Sequence, residues 1–219
     1  MGRSKLDVKA IFFDLDGTIV DSKKAYRMAM KTAMSKMGKH KLDDKFATEI
    51  PKRLEQNLPI CDLIQGLDAN RFLGHYLNAY YRATATKTKP MQNVSHLLEI
   101  LSRRVKLGLV TMRHVPKKKV IEELARFHLA EYFQCIVTAS DTNYPKPSPE
   151  ALIECARQLN TSITECAVVG DSIADIRAGK NAGTKTVAVL SGIFSREELE
   201  KEKPDLILDS VKDLPDYLE

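Results

Sequence analysis

The sequence lacks the features that mark membrane-spanning, secreted and disulfide-stabilised proteins. No apolar run approaches the roughly 20 residues that a membrane-spanning helix requires. The first ten residues are charged and carry neither the apolar segment nor the small-residue cleavage site of a secretory signal. The cysteines are scattered without paired spacing, which argues against a disulfide framework or a zinc site: Cys61, Cys135, Cys155 and Cys166. We therefore expect a cytoplasmic protein with reduced thiols and no membrane partner.

Internal repeats and low-complexity tracts are also absent, and the net charge of +5 is unevenly spread. Residues 21–90 hold 14 Lys and Arg against 7 Asp and Glu, whereas the rest of the chain is slightly acidic. A basic segment favours an anionic ligand through long-range attraction, although helices with solvated lysine faces would give the same count. The lysine run at 117–119 precedes Glu122-Glu123 without an aromatic platform, so we expect a solvated helical turn and no nucleic-acid partner.

Short apolar segments alternate with helical ones over most of the chain. The predicted strands cover residues 8–13, 106–110, 135–139, 165–169, 186–190 and 205–208. The predicted helices cover residues 94–103, 117–127, 149–158 and 173–182, with one more at the C-terminus. This alternation predicts an α/β protein with a parallel sheet covered on both faces. Residues 23–85 read as helical throughout and interrupt it, so we assign 21–89 to an inserted all-α cap and 1–20 with 90–219 to the core.

Polar residues stand where several of these strands end. Asp14, Thr111 and Asp171 each end or follow a predicted strand, and Lys146 lies in a later loop. In open α/β sheets, ligands bind just beyond the carboxyl ends of the strands. These side chains therefore predict one shared crevice, for which a core strand would have no structural use.

The first of these segments is FFDLDGTIVDS. Asp14 and Asp16 are two residues apart, so on extended backbone they point the same way while Leu15 faces the core. Gly17 lets the chain turn at once, and Thr18 can cap the turn or the next helix. A strand followed by an Asx-type turn is the purely structural alternative.

The second segment is VVGDSIADIRAGKNAG. Asp171 follows a strand, and Asp175 lies four residues later on the same face of the first helical turn. The favourable position of an acid at a helix N-terminus would explain Asp175 alone. With Asp14 and Asp16, however, four carboxylates share one pocket, where like charges raise each other's pKa unless a cation intervenes. Oxygen ligands select a hard ion, and Mg²⁺ is the usual choice beside phosphate.

Two further groups are suited to hold a phosphoryl group. Lys146 stands between Pro145 and Pro147, which stiffen its loop and fix where the ammonium is delivered. The Thr111 hydroxyl and the backbone N–H of Met112 can donate to a phosphoryl oxygen. A lysine in a proline-rich loop and a threonine at a strand end are each common, so they indicate a phosphate site only together with the other motifs.

Taken in order, the four segments resemble the haloacid dehalogenase-like (HAD) hydrolase superfamily. The runs DGTIVDS, KPSPE and GDSIADIRAGKNAG are especially similar to the phosphoglycolate phosphatase-like branch, and the helical insert resembles a C1-type cap. The resemblance implies a Rossmann-like, doubly wound core. It also implies Mg²⁺-dependent hydrolysis of small phosphate monoesters through an aspartyl-phosphate.

The resemblance also implies a role for each residue of the predicted site. Asp14 is expected to be the nucleophile and Asp16 the acid–base. Thr111, Met112 and Lys146 are expected to bind the phosphoryl group of a small phosphorylated metabolite. The expected Mg²⁺ ligands are Asp14, Asp171, Asp175 and, through its backbone carbonyl, Asp16.

One departure from the family pattern and two alternative functions stay open. Many relatives follow the strand-end Thr with Asn and then a small or basic residue, whereas this chain has Met112-Arg113-His114. Arg113 or His114 can reach a second anionic group of the substrate or simply cover the loop. The alternatives are a phosphosugar mutase of the same superfamily and a receiver-like phosphoacceptor module. A dehalogenase is disfavoured, because relatives with that activity lack the second Asp. The substrate and the oligomeric state are not determined by the sequence.

Overall fold

The computed structural model describes residues 5–39, 46–64 and 66–219. The chain divides into two compact units, Met1–Val20 together with Pro90–Glu219, and Asp21–Lys89. Among the described residues, no helix is both long and apolar enough to cross a membrane.

The larger unit is built on one sheet of six parallel strands. The eight strands of the described chain are β1 Ala10–Phe13, β2 Val20–Asp21, β3 Lys89–Pro90, β4 Lys106–Thr111, β5 Cys135–Thr138, β6 Cys166–Gly170, β7 Lys185–Val189 and β8 Leu206–Leu208. The large sheet has the order β5-β4-β1-β6-β7-β8, and β2 and β3 form a separate two-stranded sheet. Numbered along the large sheet alone, this is the order 3-2-1-4-5-6 of Rossmann-like folds. It confirms the predicted fold class.

Helices cover both faces of this sheet. They are α4 Val94–Ser102, α5 Lys117–Ala125, α6 Glu150–Gln158, α7 Ile173–Ala182 and α8 Arg196–Lys201. Successive strand side chains point to opposite faces, so Ile11 and Phe13 join one apolar cluster with residues of α4 and α5. Ala10 and Phe12 join a second cluster with residues of α6 and α7. Burial on both faces explains why β1 is a continuous apolar run.

The smaller unit is helical, as the sequence predicts. Its helices are α1 Lys23–Lys36, α2 Phe46–Glu55 and α3 Ala69–Lys87. The rings of Tyr26 on α1 and Tyr80 on α3 stack with centroids 5.1 Å apart. Within its described residues, three helices make up the segment that the sequence predicts to be helical.

A helix follows the last strand, as the sequence predicts. Residues Val211–Tyr217 form it as a 3-10 helix, and Pro215 lies inside it. Pro215 has no N–H to donate to the turn that precedes it.

Candidate active site

The candidate site lies at the carboxyl ends of three adjacent strands. Asp14 follows β1 and Asp171 follows β6, and Thr111 is the last residue of β4. Between β1 and β6 the strand order reverses, which is where doubly wound sheets open a crevice for ligands. The backbone N–H of Asp14 donates to Val169 O at 2.9 Å, so the two strand ends are fixed side by side.

Lys146 is buried at the centre of the site. Its Nζ donates to Asp14 Oδ1 at 2.7 Å, to Val110 O at 3.0 Å and to Asp175 Oδ1. These three bonds use all the donors of an ammonium group. Lys146 thereby joins Asp14, which lies 132 residues away in the sequence, to Asp175, which lies 29 residues away. The strand-end pattern predicts that such distant residues lie close together.

Three carboxylates form a group that could hold a metal ion. Asp14, Asp171 and Asp175 each offer an oxygen atom, and these atoms lie within 4.8 Å of one another. All three residues are buried. The Asp16 carboxylate is not part of this group.

Asp175 combines a structural role with this position. Its Oδ2 accepts hydrogen bonds from the Ser172 hydroxyl at 2.7 Å and the Ser172 backbone N–H at 3.2 Å, which completes a capping box at the start of α7. Its Oδ1 accepts from Lys146. The helix-capping explanation and the active-site explanation of this residue therefore hold together.

Asp171 is enclosed by residues for which the sequence did not predict a role at this carboxylate. The Thr18 hydroxyl donates to Asp171 Oδ1 at 3.0 Å, so Thr18 supports this carboxylate rather than capping a turn. A Cβ on Gly17 or Gly192 would overlap the Asp171 carboxylate. Ser191 Oγ donates to Gly17 O at 2.7 Å and ties the loop after β7 to the first motif. The position of Ser191-Gly192 just beyond a strand end was the signal that could have found this loop.

The electrostatics of the site favour a bound cation. Burial raises the pKa of Asp14 to about 7, with Asp175 and Asp16 adding to the effect and Lys146 opposing it. Burial, with repulsion from Asp14 and Asp175, also raises the pKa of Asp171 well above its ordinary value. For Lys146, burial lowers the pKa, but the two carboxylates outweigh burial and raise it overall. A divalent ion among these oxygen donors would relieve the repulsion, so the residues fit a hard cation.

Arg113 is buried, and its guanidinium pairs with two carboxylates of the protein. Its guanidinium donates to Asp16 Oδ2 through Nε at 2.7 Å and to Asp16 Oδ1 through Nη2 at 2.6 Å. It also pairs with the buried Glu123 of α5. Its backbone N–H donates to Thr111 Oγ1 at 3.3 Å. Met112 is half-buried and His114 is exposed.

Curated relatives cover almost the whole chain. It is 30% identical to a phosphoglycolate phosphatase of Aquifex aeolicus, over 94% of this chain and 95% of the relative. It is 28% identical to the pyrophosphatase PpaX of Bacillus mycoides, over 95% and 96% of the two chains.

Solved structures show the same fold. A haloacid dehalogenase-like family hydrolase from Streptococcus pneumoniae superposes with a TM-score of 0.82 at 19% identity, covering 96% of this chain and 98% of that one. A hydrolase from Pseudomonas syringae gives 0.71 at 25% identity, covering 95% and 97%. The profile described as haloacid dehalogenase-like hydrolase matches residues 11–189. A match over most of the chain, with these relatives, shows that the protein belongs to the haloacid dehalogenase-like hydrolase family.

Proposed function

We propose that this chain is a Mg²⁺-dependent phosphohydrolase that acts on small phosphate monoesters through an aspartyl-phosphate on Asp14. The observation that carries the proposal is the position of Lys146, whose ammonium joins Asp14 and Asp175 beside Asp171. The names of the relatives, a phosphoglycolate phosphatase and a pyrophosphatase, support hydrolysis at phosphorus.

In the first step, a carboxylate oxygen of Asp14 attacks phosphorus and the bond from phosphorus to the ester oxygen breaks. The leaving oxygen takes a proton from Asp16. Asp14 must be ionised to attack, and burial opposes this. The Lys146 ammonium, 2.7 Å from Asp14 Oδ1, stabilises the ionised form.

In the second step, a water molecule attacks the phosphorus of the aspartyl-phosphate. Asp16, now ionised, takes the proton of this water, the bond from phosphorus to Asp14 breaks, and phosphate leaves. Both carboxylates then return to their starting states. One acid–base group thus serves both steps.

The phosphoryl group would be held by Thr111, the backbone N–H of Met112 and Lys146. The Thr111 hydroxyl accepts a bond from the Arg113 N–H, so its own proton can still be donated to a phosphoryl oxygen. Lys146 uses all three donors within the protein, so it must exchange one of them to contact substrate. Fixed donors of this kind stabilise the charge that develops in phosphoryl transfer.

The metal would be held by the side chains of Asp14, Asp171 and Asp175, with the backbone carbonyl of Asp16. When bound, a divalent ion offsets the negative charge of these carboxylates and of the phosphoryl oxygens. Mg²⁺ is proposed because all the donors are oxygen atoms and the substrate is a phosphate.

The test is turnover of a panel of phosphate monoesters and pyrophosphate, with and without Mg²⁺. We expect Mg²⁺-dependent phosphate release by the wild type and its loss to background in Asp14→Asn. Asp209→Asn is the matched control, because its side chain is 83% exposed and lies in the same unit. Absence of Mg²⁺-dependent turnover across the panel, or full activity in Asp14→Asn, would refute the proposal.

The same panel separates the alternatives. Release of phosphate from a sugar phosphate supports a phosphatase, whereas isomerisation supports a mutase. Preference for pyrophosphate would indicate that the chain shares the activity of its pyrophosphatase relatives. A receiver-like module is disfavoured by the order of the sheet, since receivers follow the order 2-1-3-4-5. The cytoplasmic location stays a prediction.

A further inference from the structure

We infer that Arg113 is a positioning residue for Asp16 and that Glu123 holds Arg113 in place. The inference rests on the proposed function, in which Asp16 exchanges protons with the leaving group and with water. It assigns a purpose to Arg113, a residue of the Met112-Arg113-His114 segment whose role the sequence leaves open.

The contact between Arg113 and Asp16 fixes the orientation of the carboxylate. Nε and Nη2 of Arg113 bond to different oxygens of Asp16, at 2.7 and 2.6 Å. Such a fork constrains the plane of a carboxylate as well as its distance, which a single hydrogen bond does not. The Asp16 side chain is only 11% exposed, so water competes weakly for it.

Arg113 is itself immobilised from three directions. Its backbone N–H bonds to Thr111 Oγ1, and its carbonyl accepts from the Ala139 N–H at 3.2 Å, which ties it to the ends of β4 and β5. Its guanidinium reaches Glu123, also through Nη2 to Oε1 at 3.4 Å. The orientation of the Asp16 carboxylate is therefore set, through Arg113, by α5, β4 and β5.

A purely structural role does not account for this cluster well. Removing three charged groups from water is costly, and apolar side chains of similar volume often stabilise a protein as well or better. Arg113 and Glu123 are each 4% exposed, so both carry this cost. The cost of burying these charges beside the acid–base group is explained if they control the geometry of that group.

The experiment compares two aryl esters of similar shape, p-nitrophenyl phosphate and phenyl phosphate. The nitrophenolate leaves readily without a proton, whereas phenolate depends more strongly on the acid. In Arg113→Lys, which keeps the charge but not the fork, we expect kcat/KM for phenyl phosphate to fall at least about tenfold more than for p-nitrophenyl phosphate. Glu123→Gln should change the ratio in the same direction by a smaller factor, and it carries the test if Arg113→Lys fails to fold.

Two controls isolate the mechanism. Arg157→Lys alters an equally forked but exposed pair with Glu154 and should leave both substrates unaffected. In an Asp16→Asn background, adding Arg113→Lys should not change the ratio of kcat/KM for the two esters any further, because the two residues act as one unit.

Several outcomes would overturn the inference. Equal losses on both esters in an active enzyme would reduce Arg113 to a structural residue, and a gain on phenyl phosphate would mean that Arg113 restrains Asp16. Either result leaves the proposed function standing. Absence of wild-type turnover would overturn the proposed function and this inference with it.

Discussion

Gly192 offers the sharpest test of the proposed metal group. A Cβ at this position would overlap the carboxylate of Asp171 and lie 2.5 Å from the Asp171 Cβ. Carbon atoms in ordinary contact are about 3.5–4 Å apart, so Gly192→Ala requires a shift of more than 1 Å. Asp171 is 3% exposed and hydrogen-bonded to Thr18, and Ser191 ties the loop to Gly17. Neither Asp171 nor the Ser191-Gly192 loop can therefore move away without losing a hydrogen bond.

The expected effects of Gly192→Ala follow from how little displacement the Mg²⁺ coordination and the packing around Asp171 tolerate. Mg²⁺ holds its ligands at about 2.0–2.1 Å in near-octahedral geometry, so a displaced carboxylate binds it poorly. Losing the support of a ligand typically costs about 10–100-fold in metal affinity, which we expect for Gly192→Ala. Overpacking should also lower the free energy of unfolding by about 1–3 kcal/mol.

Mg²⁺ titration by calorimetry and urea unfolding measure the two effects separately. Gly74→Ala is the matched control, because nothing lies within 4 Å of a Cβ there and the residue is inside α3. It should leave Mg²⁺ affinity unchanged and stabilise the protein by about 0.5–1 kcal/mol. Unchanged Mg²⁺ affinity in Gly192→Ala would refute the assignment of Asp171 as a ligand held by this loop.

Three further results are expected. Lys146→Met should lower kcat at least about 100-fold, and it should destabilise the metal-free protein by about 3–5 kcal/mol because Asp14 and Asp175 lose their cation. Steady-state kinetics and urea unfolding measure this, and unchanged stability would contradict it. Thr18→Val should weaken Mg²⁺ binding about tenfold while Thr18→Ser retains it, since only the hydroxyl bonds to Asp171; equal binding by both variants would count against this support. The folded-state pKa of Asp14, about 7, lies above its ordinary value, so the metal-free fold binds more protons and loses stability as pH rises towards neutrality. Mg²⁺ should therefore raise Tm more at about pH 8 than at about pH 5, and the reverse order in thermal unfolding would contradict the sign.

The positions of the strand-end residues could be predicted because they depend on where apolar runs stop. A buried parallel strand needs apolar side chains on both faces, so the first polar residue after it marks the carboxyl edge of the sheet. This rule places Asp14, Thr111 and Asp171 at that edge from the sequence alone. It requires only that the sheet be parallel, which the alternation of elements indicates.

The partners of Arg113 could not be predicted in this way. The sequence predicts a solvated helical turn for the lysine run at 117–119, with Glu122 and Glu123 beside it. In the structure, Glu122 pairs with Lys119 at the surface, whereas Glu123 is buried. Neighbouring residues on a helix point about 100° apart, so one faces solvent and the other the site. Val120 and Leu124 are buried on the face of α5 that also carries Glu123, so the helical spacing of these apolar residues indicates which glutamate faces inward. That Arg113 is its partner depends on contacts between distant segments.

The placement of the two cations gives two neighbouring carboxylates different surroundings. Asp14 and Asp16 differ in position by only two residues, yet Lys146 bonds to the first and Arg113 to the second. Among the described residues, Asp171 is hydrogen-bonded by neutral donors, the Thr18 hydroxyl and a backbone N–H. A divalent cation would therefore be attracted most strongly to the Asp171 carboxylate, beside Asp14 and Asp175, whereas the carboxylate of Asp16 is held by Arg113. Under the proposed function, these distinct partners would separate the nucleophile from the acid–base group, and they come from Arg113, two residues beyond β4, and from the Lys146 loop.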